Sequence, residues 1–218
     1  MPPKQAAPAA LLLTAPGCPH CPGMKRNLDL LVDEGLVASL APVDIAQEPQ
    51  RAAALGGPPV PWLQLGEFEF EGLHSVAELR DWARHATETD GAGLYFIEAL
   101  KAGHLPKVLG MVHRHPAHLD TLLQLAADAD TELTVRIGIS AVVEDFAGQP
   151  ELAARLPALA ALAEHSDPRV RADACHFLAM TGQAEAVPAL ETLIQDNERS
   201  VRDVAADSLD ELREQLKH

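Results

Sequence analysis

The hydrophobic pattern changes character partway along the chain. Near the start, Leu11-Leu12-Leu13-Thr14 is a short apolar run closed by Ala15-Pro16-Gly17. A run this short, ended by a turn signal, predicts a buried strand. Met24, Leu28, Leu31 and Val32 then recur at helical spacing. A second strand is expected within 36–45, closed by Asp44 and Glu48-Pro49, and a short helix over 50–55. Gly56-Gly57-Pro58-Pro59 breaks the chain. Beyond it, Trp62-Leu63-Gln64-Leu65, Gly66-Glu67 and Phe68-Glu69-Phe70 read as strand, tight turn, strand. The alternation of Phe68 and Phe70 with glutamates indicates one buried face. Ser75-Val76-Ala77-Glu78 is a capping box, opening a helix with Val76, Leu79, Trp82 and Ala83 on one side. The order β-α-β-α-β-β-α predicts an α/β domain over 9–87, preceded by a flexible tail at 1–8.

Residues 88–93, inside the polar, glycine-rich stretch Thr87-Glu88-Thr89-Asp90-Gly91-Ala92-Gly93, read as a linker. From Leu94 onward the pattern is helix, turn, helix, so 94–218 is expected to be all-α. A repeat is legible there. Glu132, Asp167 and Glu198 each begin the pattern acid-Xaa-Xaa-Val-Arg, ending at Arg136, Arg171 and Arg202. Each acid sits where a helix N-cap complements the dipole. Each arginine falls in the first turn, where the dipole disfavours it, so its recurrence predicts pairing with acids of the adjacent repeat. An apolar helix precedes each motif, over 122–127, 156–163 and 187–194. Two helices per period of 31–35 residues predict an α-solenoid. This half resembles HEAT repeats of the short bacterial type, over 119–216, and 94–115 is expected to be a degenerate further unit or a cap. The resemblance implies a partner-binding surface.

Charge narrows the classes of partner. The chain carries 17 basic and 32 acidic residues, a net charge of −15. Such a surface repels phosphate, which disfavours nucleic acid and anionic membrane surfaces and favours basic partner proteins. No apolar run approaches the ~20 residues of a membrane span, and Leu11-Leu12-Leu13 is too short for the core of an export signal. The default expectation is therefore the cytoplasm.

The sharpest chemistry lies in Cys18-Pro19-His20-Cys21. It follows a predicted strand and turn and precedes a predicted helix, which places Cys18 near the helix N-cap. Unpaired backbone N–H groups and the positive end of the dipole there favour a thiolate, the nucleophile of thiol–disulfide exchange. Cys21 lies about one turn further on, within reach of a mixed disulfide on Cys18. His20 can add positive charge or hydrogen-bond the sulfur. Pro19 suits the first helical position. Pro22 removes a helix N–H and can delay the helix start.

With these residues in view, 9–86 resembles the thioredoxin-like fold at about glutaredoxin size. The likeness rests on strand, Cys-Xaa-Xaa-Cys and helix, and on Val60-Pro61 directly before the third strand. It implies that Pro61 is a cis-proline facing the reactive sulfur and that Val60 offers backbone hydrogen bonds to a bound chain. The Pro-His interior is similar to that of the disulfide-forming oxidants of the bacterial periplasm, although those carry a helical insertion where this chain appends helices. Gly17 stands where thioredoxins place tryptophan, and Leu12 where many bury an acid. Gly72-Leu73-His74-Ser75 lacks the second glycine and the acid with which glutaredoxins hold glutathione.

The resulting expectation is a thioredoxin-like domain followed by a HEAT-like solenoid, acting as a thiol–disulfide oxidoreductase on protein disulfides. In it Cys18 attacks, Cys21 resolves, His20 tunes, and Val60 and Pro61 form the substrate edge. No cofactor is needed, because the cysteines themselves cycle. Two other readings stay open: a non-catalytic adaptor, and a copper- or zinc-handling protein using the same cysteines. Cys175 aligns with Ser140 and Ala206, small residues that predict a packing slot. His104, His113, His115 and His118 read as a solvated cluster at helix ends. His176 should point to a different helix face from Cys175, so the two form no dyad.

Overall fold

Strand β1 (Ala9–Thr14) runs through the centre of a four-stranded sheet, in a computed structural model that describes residues 6–217. Of the tail expected at 1–8, residues 1–5 lie outside the described residues. After β1 come α1 (Cys21–Asp33), β2 (Ser39–Asp44), α2 (Pro49–Ala54), β3 (Trp62–Leu65), β4 (Phe68–Glu71) and α3 (Val76–His85). The sheet order is β2-β1-β3-β4, with β1 parallel to β2 and the other two pairings antiparallel.

Register explains why consecutive leucines suit β1. Successive side chains of a strand face opposite ways. Leu13 pairs with Trp62 and packs with Val43 and Ala52 of α2. Leu12 pairs with Leu63, and Leu63 with Phe70, which meets Trp82 of α3 at 5.5 Å between ring centroids. Both faces are therefore covered, and Leu12 and Leu13 are fully buried. The capping box forms as the sequence predicts: Ser75 Oγ accepts from Glu78 N–H and Glu78 Oε2 from Ser75 N–H.

Strand β4 lies at the edge of the sheet. The hydroxyl of Tyr95 covers it at Glu69, donating to the carbonyl (3.0 Å) and accepting from the N–H (3.2 Å), while its ring stacks on Phe68. Tyr95 belongs to α4 (Gly91–Lys101), which begins inside the stretch expected as a linker over 88–93. The reason lies in Gly91. A Cβ there would sit 1.9 Å from the His85 carbonyl oxygen, so this glycine permits close approach of backbone.

The described residues divide into two compact units between Tyr95 and Phe96. In the second unit α4 leads to α5 (Leu105–Arg114), α6 (His118–Ala127), α7 (Leu133–Asp145), the short α8 (Pro150–Ala153), α9 (Leu156–Ala163), α10 (Pro168–Met180), α11 (Val187–Leu193) and α12 (Arg199–Gln215). The three hairpins α6–α7, α9–α10 and α11–α12 fall on the three sequence repeats. Glu132, Asp167 and Glu198 are the N-caps of α7, α10 and α12. Only Asp167 is short enough to close the cap with its side chain, on Arg169 N–H at 2.8 Å. The molecule is thus an α/β domain followed by an all-α helical repeat. Among the described residues, no helix is long and apolar enough to cross a membrane.

Candidate functional site

The Cys-Xaa-Xaa-Cys segment is presented by a tight turn. Pro16 and Gly17 occupy its centre, Gly17 at φ +78°, and Cys18 N–H donates to the Ala15 carbonyl at 3.3 Å. Proline then glycine with positive φ is the pattern of a type II turn. That backbone conformation accounts for glycine at 17, since a side chain there would be strained whatever the open space around it.

Helix α1 begins two residues later than the sequence suggests. His20 is its N-cap and Cys21 its first residue, so Pro19 precedes the helix. The cause is Pro22. A helix starting at Pro19 would ask Pro22 for an N–H toward the Cys18 carbonyl; starting at Cys21 places Pro22 in the first turn, where N–H groups have no intrahelical partner.

Cys18 and Cys21 are joined as a disulfide, their Cα atoms 5.5 Å apart. The two sulfurs differ in access. Cys21 is 4% exposed, whereas Cys18 is only partly buried, and Pro19 and His20 are exposed. The first helical N–H, that of Cys21, points at Cys18 Sγ at 3.1 Å. His20 makes no side-chain capping bond.

The Val60–Pro61 peptide is cis; Pro61 is buried, and Val60 packs against the Leu13–Val43–Trp62 cluster. The Pro61 carbonyl accepts from Gly72 N–H at 2.8 Å, and Asn27 Nδ2 of α1 donates to the His74 carbonyl at 2.8 Å. These bonds tie the segment 72–74 both to Pro61 and to the cysteine-bearing helix. Leu73, half exposed, lies over Gly23 in the first turn of α1. Sequence reasoning missed Asn27 and Leu73 as neighbours of this site. Nothing in a one-dimensional pattern marks a helix asparagine that bonds a carbonyl 47 residues away.

The remaining candidates resolve as packing or surface. Cys175 is fully buried on α10, its Sγ donating to the Arg171 carbonyl at 3.2 Å, and Ser140 Oγ does the same to Arg136 at 3.1 Å. The slot is therefore repeated in two units. Burial pushes the Cys175 thiol up to about 12, with Asp196 adding to the effect. His113 stacks on Phe146 and meets Asp145 at 2.6 Å, and His118 meets Phe96 edge-on. His176 reaches Glu144 and not Cys175. Among the described residues, no group of three or more His, Cys, Asp and Glu side chains could hold a metal ion.

The repeated arginines fasten the helical units in two directions. Arg136 donates to the Asp128 carbonyl at the end of α6 and pairs with Asp173 of α10. Arg171 donates to the His165 and Ser166 carbonyls after α9 and forms a two-pronged pair with Asp196 (2.7 and 2.8 Å). Arg202 donates to the Asp196 and Asn197 carbonyls. For Arg136 and Arg171 the pairing with an acid of the adjacent repeat follows the sequence expectation; Arg202, in the last repeat, bonds carbonyls only. Capping of the preceding helix end is a second duty that the motif alone did not reveal.

Comparison with known proteins agrees with this unit. Residues 119–210 match the family described as HEAT repeats. A search of curated proteins finds no match for the chain.

Proposed function

We propose that the protein is a cytoplasmic thiol–disulfide oxidoreductase of the thioredoxin-like type, acting on protein disulfides, with its HEAT-repeat unit as the surface that engages partner proteins. The observation that carries the reading is the asymmetry of the pair: Cys18 is accessible and faces the first N–H of α1, while Cys21 is buried. When the pair is reduced, that N–H and the helix dipole favour a thiolate on Cys18. The order of strand, cysteine pair and helix, and the proline before β3, add support.

Loop length argues against a purely structural bridge. Only two residues, Pro19 and His20, lie between the cysteines, so the chain-entropy model gives such a bridge about 2 kcal/mol, against about 4.7 for a 100-residue loop. That is the low end of what disulfide bridges contribute.

The exchange runs in two steps. The Cys18 thiolate attacks one sulfur of a substrate disulfide, forming a mixed disulfide and releasing the other substrate sulfur as a thiolate, which takes a proton. Cys21, deprotonated, then attacks Cys18 Sγ, releasing the second substrate thiol and closing the Cys18–Cys21 bond. Two electrons pass from the pair to the substrate, and a dithiol partner returns them by the reverse steps. His20, when protonated, adds positive charge two residues from the attacking sulfur. Val60 and Pro61 form the edge along which the substrate chain lies.

Trapping tests this reading. Cys21→Ser should accumulate mixed disulfides between Cys18 and protein substrates that reductant releases, while Cys18→Ser should accumulate none. Equal and negligible adducts from both variants would leave the adaptor reading in its place.

A further inference from the structure

We infer that Arg26 and Leu73, which converge over Gly23 beside the cysteine pair, select the protein disulfide: the substrate chain sets an acidic side chain near its cysteine against Arg26 and an apolar one against Leu73. This names a substrate class for, and rests on, the oxidoreductase reading of Cys18 and Cys21.

The fold brings the two side chains together. Gly23 is the third residue of α1, two beyond Cys21, whose N–H faces Cys18 Sγ. Long side chains of a helix lean back toward its N-terminus, so Arg26 covers the turn in which Gly23 stands. A Cβ on Gly23 would meet Leu73 Cδ1 at 3.4 Å and Arg26 Nη2 at 3.9 Å. Glycine is a poor helix former, and at this position it leaves an open floor between an apolar and a cationic side chain. The bonds from Gly72 N–H to Pro61 and from Asn27 to the His74 carbonyl hold Leu73 there from both sides. Leu73 is 50% exposed, and Arg26, Pro19, His20 and Pro22 are exposed around it.

Ion pairing singles out Arg26. Lys25 meets Asp29, Arg51 meets Glu48, Arg80 meets Glu34 and Arg84 meets Asp81. Among the described residues of the α/β unit, Arg26 is the one lysine or arginine with neither an ion pair nor a hydrogen bond. The acids nearest in the fold have other partners. Asp29, one turn along α1, has both oxygens on Lys25 at 3.1 and 2.8 Å. Glu78 accepts from Ser75 N–H and lies 3.9 Å from His74, and Glu71, at the end of β4, is engaged as well. An unpaired guanidinium beside the reactive sulfur is thus open to a carboxylate from another chain. The net charge of −15 opposes an acidic partner at long range. That field is screened over about 8 Å at physiological salt, and contact with Arg26 acts inside this distance.

Short capped peptides test the inference. Their central cysteine is held as a disulfide with 2-mercaptoethanol and flanked by Glu and Leu, by Lys and Leu, or by Glu and Ser. In the reduced full-length Cys21→Ser chain, the Cys18 thiolate attacks the peptide sulfur, and mercaptoethanol leaves as a thiolate that takes a proton. The rate of the Cys18–peptide adduct is read by mass. The Glu/Leu peptide should react about tenfold faster than the Lys/Leu peptide at low salt, with the ratio shrinking at high salt. In the same background, Arg26→Gln should bring the ratio near unity and Arg26→Glu should invert it. Leu73→Ser should remove an advantage of about fivefold for Glu/Leu over Glu/Ser. Alkylation of Cys18 by neutral iodoacetamide should keep its pH profile in these variants, which separates selection of the substrate from activation of the sulfur. Unchanged circular dichroism would verify that they fold. A Lys/Leu peptide that reacts as fast, a ratio indifferent to Arg26, or dependence on Arg26 seen with glutathione disulfide and with no peptide overturns the inference and leaves the oxidoreductase reading standing. Alkylation of Cys18 with no adduct from any peptide overturns both.

Discussion

Cys18 and Cys21 have the same chemistry and different surroundings, and the proposed division of roles between them rests on that difference. The backbone N–H 3.1 Å from Cys18 Sγ favours the charged sulfur, and partial exposure admits another chain. In the reduced protein, alkylation of Cys18 should therefore follow a pKa well below the ~8.5 of an ordinary cysteine. Rate against pH, read on Cys21→Ser, measures it; an ordinary profile would remove the case for an activated sulfur. Cys175 provides the contrast. With its thiol pushed up to about 12 by burial, it should resist alkylation in the native protein and react only after unfolding. Gly91 is a residue whose meaning the sequence hid. In the chain it looks like part of a loose polar linker; in the fold it admits the His85 carbonyl at a distance no side chain tolerates. Gly91→Ala should cost about 1–3 kcal/mol by overpacking, measured by denaturant unfolding.

At the scale of elements, the legible features were those written as local chemistry. Ser75 and Glu78 announce a capping box because both partners lie within four residues. The acid-Xaa-Xaa-Val-Arg motif marks three helix starts because the acid and the valine serve the same turn each time. The delay of the helix start by Pro22 was legible too, though not its extent of two residues; what stayed hidden was tertiary: the bond from Asn27 to the 72–74 segment and the carbonyl-capping duty of the arginines. The arginine pairs carry a stability prediction. Arg171 and Asp196 are largely buried against each other, so Arg171→Met should destabilise the repeat unit by about 2 kcal/mol, since it leaves a carboxylate and two carbonyls without their donor. The pH dependence follows from the same pair. The Arg171 hydrogen bonds hold the Asp196 carboxyl below its usual range. Its contribution is then fully present above the unfolded value of about 4 and is lost as pH falls through the lower folded value. The melting difference between the parent and Asp196→Asn should be largest above pH 4 and shrink below it. Asp173 runs in the opposite sense, because burial raises its carboxyl despite Arg136.

At the scale of the molecule, an α/β unit with a cysteine pair and a HEAT-repeat unit share one chain. Joining a reactive pair to a docking surface raises the effective concentration of a docked partner without a new contact at the sulfur. Everything rests on the Cys18–Cys21 bond being a working couple and not a staple. The direct test is its equilibrium potential in glutathione buffers, followed by mass shift after alkylation. The account predicts reversible exchange at a potential above roughly −300 mV, with the fold retained in the reduced form. A bond that resists the glutathione pool, or whose reduction unfolds the α/β unit, would contradict it.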